Sequence, residues 1–411
     1  MCIRDRLNLK RGVLNPPFFL YILAMRSNLG FFSDEKFRSV FFQTLVVGLF
    51  ALGLFFVIST TSYNLEKRNI ATGWSFLQNP AGFDISFSPF LEFKSTDTHL
   101  KVYFVGVLNT LLVSITGCIA ATILGFILGI VRLSSNWLLS RLVYIYVEFS
   151  RNVPLLLQII LWYSILIQLP RVKQSLQVLD VFYISNRGLY SPRPIFESGF
   201  SYVLIAIVLA LISSFLINRW AKKRQDKTGQ QFPVFSSSVG LIFFVPLILF
   251  FILGSPLSFE HPELKGFNFK GGLVIRPEFI AMFLALSIYT AAFISEIVRA
   301  GIMSVSKGQR EASAAIGLKQ TWIMRLIIIP QALRVIVPPL TSQYLNLTKN
   351  SSLGIAVGYA DLVHGFGGIS LNQTGQAIEC MAIVMATYLS ISLTISFFMN
   401  IYNRSIQFKE K

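Results

Sequence analysis

Eight stretches of about 20 largely apolar residues, the length a helix needs to cross ~30 Å of hydrocarbon, recur along the chain. They fall at Val40–Ser59, Val102–Val131, Leu142–Leu169, Gly199–Ile217, Ser236–Gly254, Phe279–Ala300, Leu333–Tyr359 and Ala377–Ile401. The third and seventh runs are long and carry polar residues, so each is a candidate broken helix, with Pro154 marking the break in the third. The pattern predicts an all-α polytopic membrane protein of about eight spans.

Composition sharpens this class. Of 411 residues, 54% are hydrophobic and only 13% charged, roughly half the charge of about 25% usual in soluble domains. A soluble enzyme is thereby disfavoured, and so is a disordered chain. Lys and Arg number 36 against 19 Asp and Glu, a net charge of +17. In a soluble protein that excess would suggest nucleic acid, but basic residues also accumulate in the cytoplasmic loops of membrane proteins. With the amino terminus inside, the inner connections hold 23 basic residues and the outer ones 11. Both termini are therefore expected in the cytoplasm, and no nucleic-acid partner is expected. A cytoplasmic tail spans 1–39, a periplasmic loop 60–101, a spanning domain 102–403 and a cytoplasmic tail 404–411. The run Arg219–Lys227 is the sharpest inner marker, read as a solvated loop rather than a lipid-recognition element. In residues 1–24 the apolar patch Phe18–Ala24 is too short for a signal core. These residues are either native or a translation-start artefact ahead of Met25.

Several chemistries have no support. Cys2, Cys118 and Cys380 show no CxxC spacing and read as small apolar residues. His99, His261 and His364 lie far apart in outer loops, so no metal cluster is expected. There is no phosphate-cradling G-x-x-x-x-G-K-[ST] run, and loops of about 40 residues are too short for a nucleotide-binding domain. The chain is not expected to be an enzyme or to bind a cofactor itself.

The segment Ser304–Arg334 reads as two short helices. Ser306 is placed to cap the first, Glu311 suits its dipole, and Ala312, Ser313, Ala314 and Ala315 give it a thin surface. Gly317 is placed to end it in the left-handed conformation. Thr321 is placed to cap a second helix, which presents Trp322, Ile323, Leu326 and Ile327 before Pro330 stops it. Such a loop is either a docking element or a generic interfacial hairpin.

Here a family resemblance emerges. Glu311, Ala312, Gly317, Ile327 and Pro330 resemble the EAA motif of ABC-importer permeases, E-A-A-x3-G-x9-I-x-L-P, with Ser313 in place of Ala and Ile329 in place of Leu. Val147–Ser164, Tyr289–Ile302 and Pro338–Leu362 look like the polar amino acid branch. Asn69–Ile85 and Leu371–Cys380 are similar to general L-amino acid permease subunits. The resemblance runs from about Lys36 to the C-terminus, and the helix pair at 199–254 fits the insertion of those longer permeases. It implies a type I importer permease core in the bacterial inner membrane and a pathway subunit that moves L-amino acids. The implied partners are a homologous second permease, two copies of an ATPase that binds ATP and Mg, and a periplasmic amino-acid-binding protein. The loop 304–330 would seat in the ATPase.

Ionisable residues inside the spans are costly and face a cavity or partner. Glu148 and Arg151 are three apart and can pair on one helix face, as structure or as substrate contact. Glu296 and Arg299 repeat this spacing near the inner end of the sixth span, read as structural pairing or snorkelling. Glu379 lies near an outer helix end and is expected to reach water. In the seventh span, Gln343, Asn346, Lys349, Asn350, Ser351 and Ser352 crowd together with Thr341, Ser342 and Thr348. They supply either donors for a substrate carboxylate or interhelical hydrogen bonds. An autonomous ion-coupled amino acid transporter is the competing function; it explains the spans but not the 304–330 loop.

Overall fold

The computed structural model describes residues 35–67, 72–179 and 181–407, so nothing is placed for the patch at Phe18–Ala24 or for Cys2. The chain divides into two units at Thr72. The first holds one described helix, α1 (Glu35–Lys67), whose side chains from Val40 to Ile58 are exposed and almost wholly apolar, as lipid-facing surface is.

The second unit is built from α2 (His99–Val131), α3 (Trp137–Asn152), α4 (Leu155–Ile167), α5 (Phe200–Thr228), α6 (Val234–Ile252), α7 (Pro277–Met303), α8 (Lys307–Ala315), α9 (Ile329–Asn350) and α10 (Ala377–Ile406). Among the described residues of both units, seven helices are long and apolar enough to span a membrane, or eight spans if α3 and α4 count as one bent span.

α7 is the axis of the bundle: α2, α4 and α9 all pack on it. Between helices in lipid there is little hydrophobic drive, so close van der Waals contact carries the association and small residues permit it. Gly125 and Gly129, four apart on α2, meet Ile294 and Val298 of α7. A Cβ at Gly129 would stand 2.7 Å from Val298 Cβ. On the facing side α7 buries Ala281, Ala285, Ala291 and Ala292.

The third span is broken. α3 and α4 meet at 107°. Pro154 has no N–H to continue the ladder, and it holds Val153 extended at φ −94°, ψ 126°. The buried Gln158 side chain repairs the break, its Nε2 donating to the carbonyls of Ser150 and Val153, each at 3.0 Å. The seventh span is not broken: one helical run extends from Gln320 to Val357. Its pitch changes instead, widening to a π-helix at Ile323–Ile328 and tightening to a 3-10 helix at Ser351–Val357.

The connections between α4 and α5 and between α6 and α7 hold short strands that the apolar pattern did not reveal: β1 (Leu176–Val178), β2 (Phe182–Ser185), β3 (Gly188–Ser191), β4 (Arg193–Phe196), β5 (Leu257–Glu260), β6 (Glu263–Lys265), β7 (Asn268–Lys270) and β8 (Leu273–Ile275). Three or four residues each is too short for an alternation to register. They form an antiparallel sheet β1-β2-β3-β8 and the pairs β4–β5 and β6–β7. The β4–β5 pair joins the two ends of the α5–α6 hairpin, whose helices pack on each other. The insertion is thus closed at its base by its own strand pair, which within this β module is separate from the four-stranded sheet.

Candidate functional site

The loop after α7 is positioned by local chemistry. α8 ends in a Schellman arrangement: Gly317 adopts φ +82°, its N–H donates to Ala314 O at 2.9 Å, and Leu318 N–H reaches back to Ser313 O at 3.3 Å. Ser306 occupies the N-cap position, but its hydroxyl makes no capping bond. Thr321 does not cap the second helix; Lys319 stands at that position, and its carbonyl accepts from Trp322 and Ile323. Nor does Pro330 stop this helix. The π-helix just before it widens the backbone, which is where a proline ring and a missing N–H are tolerated. The second helix of the loop is therefore the first part of the seventh span.

Glu311, Ala312 and Gly317 are exposed, Ser313 is buried with its hydroxyl on Gln309 O, and Ile327 is half-buried. Beside Glu311 the loop exposes Ile316, Trp322 and Leu326, with Ile316 76% accessible. A polar loop that leaves three large apolar side chains uncovered has the composition of a docking surface. A cavity of about 590 Å³, lined by Leu133, Met303, Lys307, Arg310 and Met324 among others, separates it from the ends of α2 and α7.

The ion pair between Glu148 and Arg151 is not formed. Arg151 turns across to Glu296 of α7, with Nη1 3.6 Å from Oε1, while among the described residues the Glu148 carboxylate accepts only from Asn152 Nδ2, at 3.4 Å. Glu296 also binds Arg132 at the end of α2 and Arg299 one turn along, the latter at 2.9 Å. One carboxylate thus ties α2, α3 and α7 together through three guanidinium groups. The pairing of Glu296 with Arg299 is as the spacing predicted; the convergence of Arg132 and Arg151 depends on tertiary packing.

The polar residues of the seventh span separate into two sets. Ser342, Asn346 and Lys349, at i, i+4 and i+7, form an exposed stripe. Gln343 and Asn350 are half-buried at its edges, and the Ser352 hydroxyl donates to Lys349 O. Ser351 belongs elsewhere: fully buried, it donates to Thr348 O at 2.7 Å and lies 3.3 Å from Tyr388 Oη.

That second set forms a buried knot around Asp361, a residue the sequence did not single out. Tyr388 donates to Asp361 Oδ2 at 3.3 Å and His364 N–H to Oδ1 at 2.8 Å. Asn109 Nδ2 donates to the carbonyls of Phe87 and Ala360, Tyr359 donates to Asn109 O, and Leu362 N–H donates to Thr110. Burial pushes the Asp361 carboxyl, in the connection between the last two spans, up to about 6. The signal that could have found it is an Asp three residues before His364, just past the end of a span, where it caps the following turn. Two further groups also depart from expectation. Glu379 does not reach water; it is 9% exposed and accepts from Gly73 N–H at 2.7 Å. His99 is not a loop residue but opens α2, buried against Ser370. No cluster of metal-ligating side chains occurs among the described residues.

Comparison with known proteins places this architecture. The family of binding-protein-dependent transport system inner membrane components matches residues 221–408. The chain is 48% identical over 379 residues to the general L-amino acid transport system permease protein AapQ of Rhizobium johnstonii, covering 92% of this chain and 94% of that protein. It is 47% identical over 381 residues to the putative amino-acid ABC transporter permease protein YhdX of Escherichia coli, covering 92% and 97%. It is 43% identical over 410 residues to the glutamate/glutamine/aspartate/asparagine transport system permease protein BztB of Rhodobacter capsulatus, covering 92% and 96%. Such relatives leave an autonomous ion-coupled transporter without support. The chain is a multi-pass membrane protein that belongs to the binding-protein-dependent inner membrane components, in the group of amino-acid ABC transporter permeases.

Proposed function

We propose that this chain is the pathway subunit of an importer for L-amino acids, with both termini in the cytoplasm and ATP and Mg bound and hydrolysed on a separate ATPase dimer. A periplasmic binding protein delivers the substrate to the outer face. A homologous second permease completes the pathway by covering the stripe Ser342–Asn346–Lys349.

The observation that carries this proposal is the single helical run from Gln320 to Val357. It begins in the exposed loop of Glu311, Ile316 and Trp322 and carries Lys349 about two turns before its far end at Val357. A rigid helix transmits displacement along its axis, so an ATPase seated on the loop moves the polar stripe directly. Lys349 and the amide of Asn346 offer donors for a substrate carboxylate, and a cation exposed in a span is affordable only toward water or a polar partner. Glu311 and Gly317 shape the loop surface; Ala312, Ser313, Ile327 and Pro330 set its backbone and depth.

The test is Glu311→Lys in the reconstituted complex, with ATP hydrolysis measured with and without binding protein and amino acid. Stimulation is expected to fall strongly while membrane insertion is retained, because Glu311 is exposed and makes no described ion pair. Unchanged stimulation would refute the coupling role.

A further inference from the structure

A second polar site lies at the end of the bundle that carries the 304–330 loop. A cavity of about 510 Å³ opens where α2 ends and α3 begins, lined by Arg132, Arg141, Arg299, Ser134, Ser140 and Tyr144. Its lining holds three guanidinium groups and no carboxylate. Arg132 and Arg299 are fixed from behind by Glu296. Arg141 makes no ion pair among the described residues, and both Arg132 and Arg141 stand 5.1 Å from the centre of the Tyr144 ring. Glu296 is already shared by Arg132, Arg151 and Arg299, so Arg141 adds a cation with no carboxylate in the cavity lining. Two like charges held against one ring are an arrangement that an anion between them relieves.

The surroundings specify the anion. Trp137, Arg141 and Tyr144 form one stripe of α3, and Trp137 is 75% exposed. The adjoining stripe is Leu138, Leu142, Ile145 and Phe149, each more than half exposed. Trp and Tyr at the mouth of a basic pocket, next to an uncovered aliphatic row, match the depth of lipid headgroups above acyl chains. We propose that this cavity binds a phosphate-bearing anion, the phosphodiester of an anionic lipid, with the acyl chains lying along Leu138, Leu142, Ile145 and Phe149. The guanidinium groups hold the phosphate by charge-assisted hydrogen bonds, and the bound lipid braces the junction of α2, α3 and α7 beside the coupling loop.

The test uses the full-length chain in detergent, with phosphatidylglycerol or phosphatidylcholine added and retained lipid counted by native mass spectrometry. The wild type is expected to retain phosphatidylglycerol preferentially, and Arg141→Gln to reduce that retention about fivefold, the weight of one basic residue at a lipid surface. Arg141→Lys, which keeps the charge, should recover part of it. Inorganic phosphate separates the two sources: no displacement of the lipid identifies the headgroup as the ligand, and full displacement identifies the pocket as a site for free phosphate. If Arg141→Gln does not fold, the wild type decides alone through the salt dependence of its lipid preference. Equal retention of both lipids at every salt concentration, or equal retention by wild type and Arg141→Gln, overturns the proposal.

Discussion

Arg151 Nη1 stands 3.6 Å from Glu296 Oε1, on another helix, although Glu148 lies only three residues away on its own. The consequence is that Glu296 is a shared counter-charge, and its loss leaves Arg132, Arg151 and Arg299 facing one another. Glu296→Gln is expected to destabilise the folded chain by about 2 kcal/mol, below the cost of a fully buried pair because these groups keep partial access to solvent. Glu148→Gln should change stability by less than about 0.5 kcal/mol. Thermal unfolding in detergent checks both, and equal effects would show that Glu296 is not the hub.

The contact of Gly129 with Val298 makes a steric prediction. Gly129→Val forces extra atoms into a space already filled at 2.7 Å, an overpacking cost of about 3 kcal/mol or more where backbone must shift. Gly240, inside α6 with nothing near its Cβ position, should instead tolerate Ala with a gain of about 0.5–1 kcal/mol. Melting temperatures of the two variants are expected to move in opposite directions.

Gly317 is held at φ +82° with open space around it, so its replacement is a conformational matter alone. Gly317→Ala should cost about 1 kcal/mol locally and unwind the end of α8 rather than the bundle. The expected readout is reduced substrate-stimulated ATP hydrolysis with an unchanged melting temperature. A fully coupled complex would separate the shape of this turn from its function.

What the sequence disclosed follows the range of each interaction. Twenty-residue apolar runs and the turn chemistry at Gly317 are local, so the spans and the end of α8 could be read directly. Pro330 looks like a terminator in the sequence because nothing local announces the π-helix that accommodates it. The partner of Arg151 and the burial of Glu379 depend on elements 145 and more residues away, with Gly73 lying 306 residues from Glu379. Asp361 escaped notice for the same reason: its environment is assembled from Tyr388 and, through the neighbouring backbone, Asn109 and Thr110. The β module was invisible because strands of three or four residues carry no periodicity.

Asp361 gives a pH prediction. Burial raises its carboxyl from the ordinary 3.8 to about 6, so the folded chain binds this proton more tightly than the unfolded chain. Stability from this group is full below about pH 4, declines as pH rises through 6 and stays lower above it, by up to about 3 kcal/mol. Asp361→Asn can still accept from His364 N–H and donate to Tyr388 Oη, so it should flatten that decline and raise the melting temperature at neutral pH. Unfolding curves at pH 5 and pH 7.5 check the sign; a decline that persists in the variant assigns it to another group.

Lys349 and Ser351, two residues apart, should fail in different ways. Ser351 is buried with two hydrogen-bonding neighbours, so Ser351→Ala acts through the fold, costing about 1–2 kcal/mol and lowering the melting temperature. Lys349 is exposed on the stripe with Asn346. Lys349→Ala should leave insertion and melting unchanged while raising the amino acid concentration needed for half-maximal uptake about tenfold, as losing a charged hydrogen bond to a carboxylate would. Uptake by reconstituted vesicles measures this, with Lys349→Arg expected to retain part of the function. Wild-type uptake by Lys349→Ala would remove the stripe from the substrate path and leave it as the contact face for the second permease, because a polar row in a span still requires a polar partner.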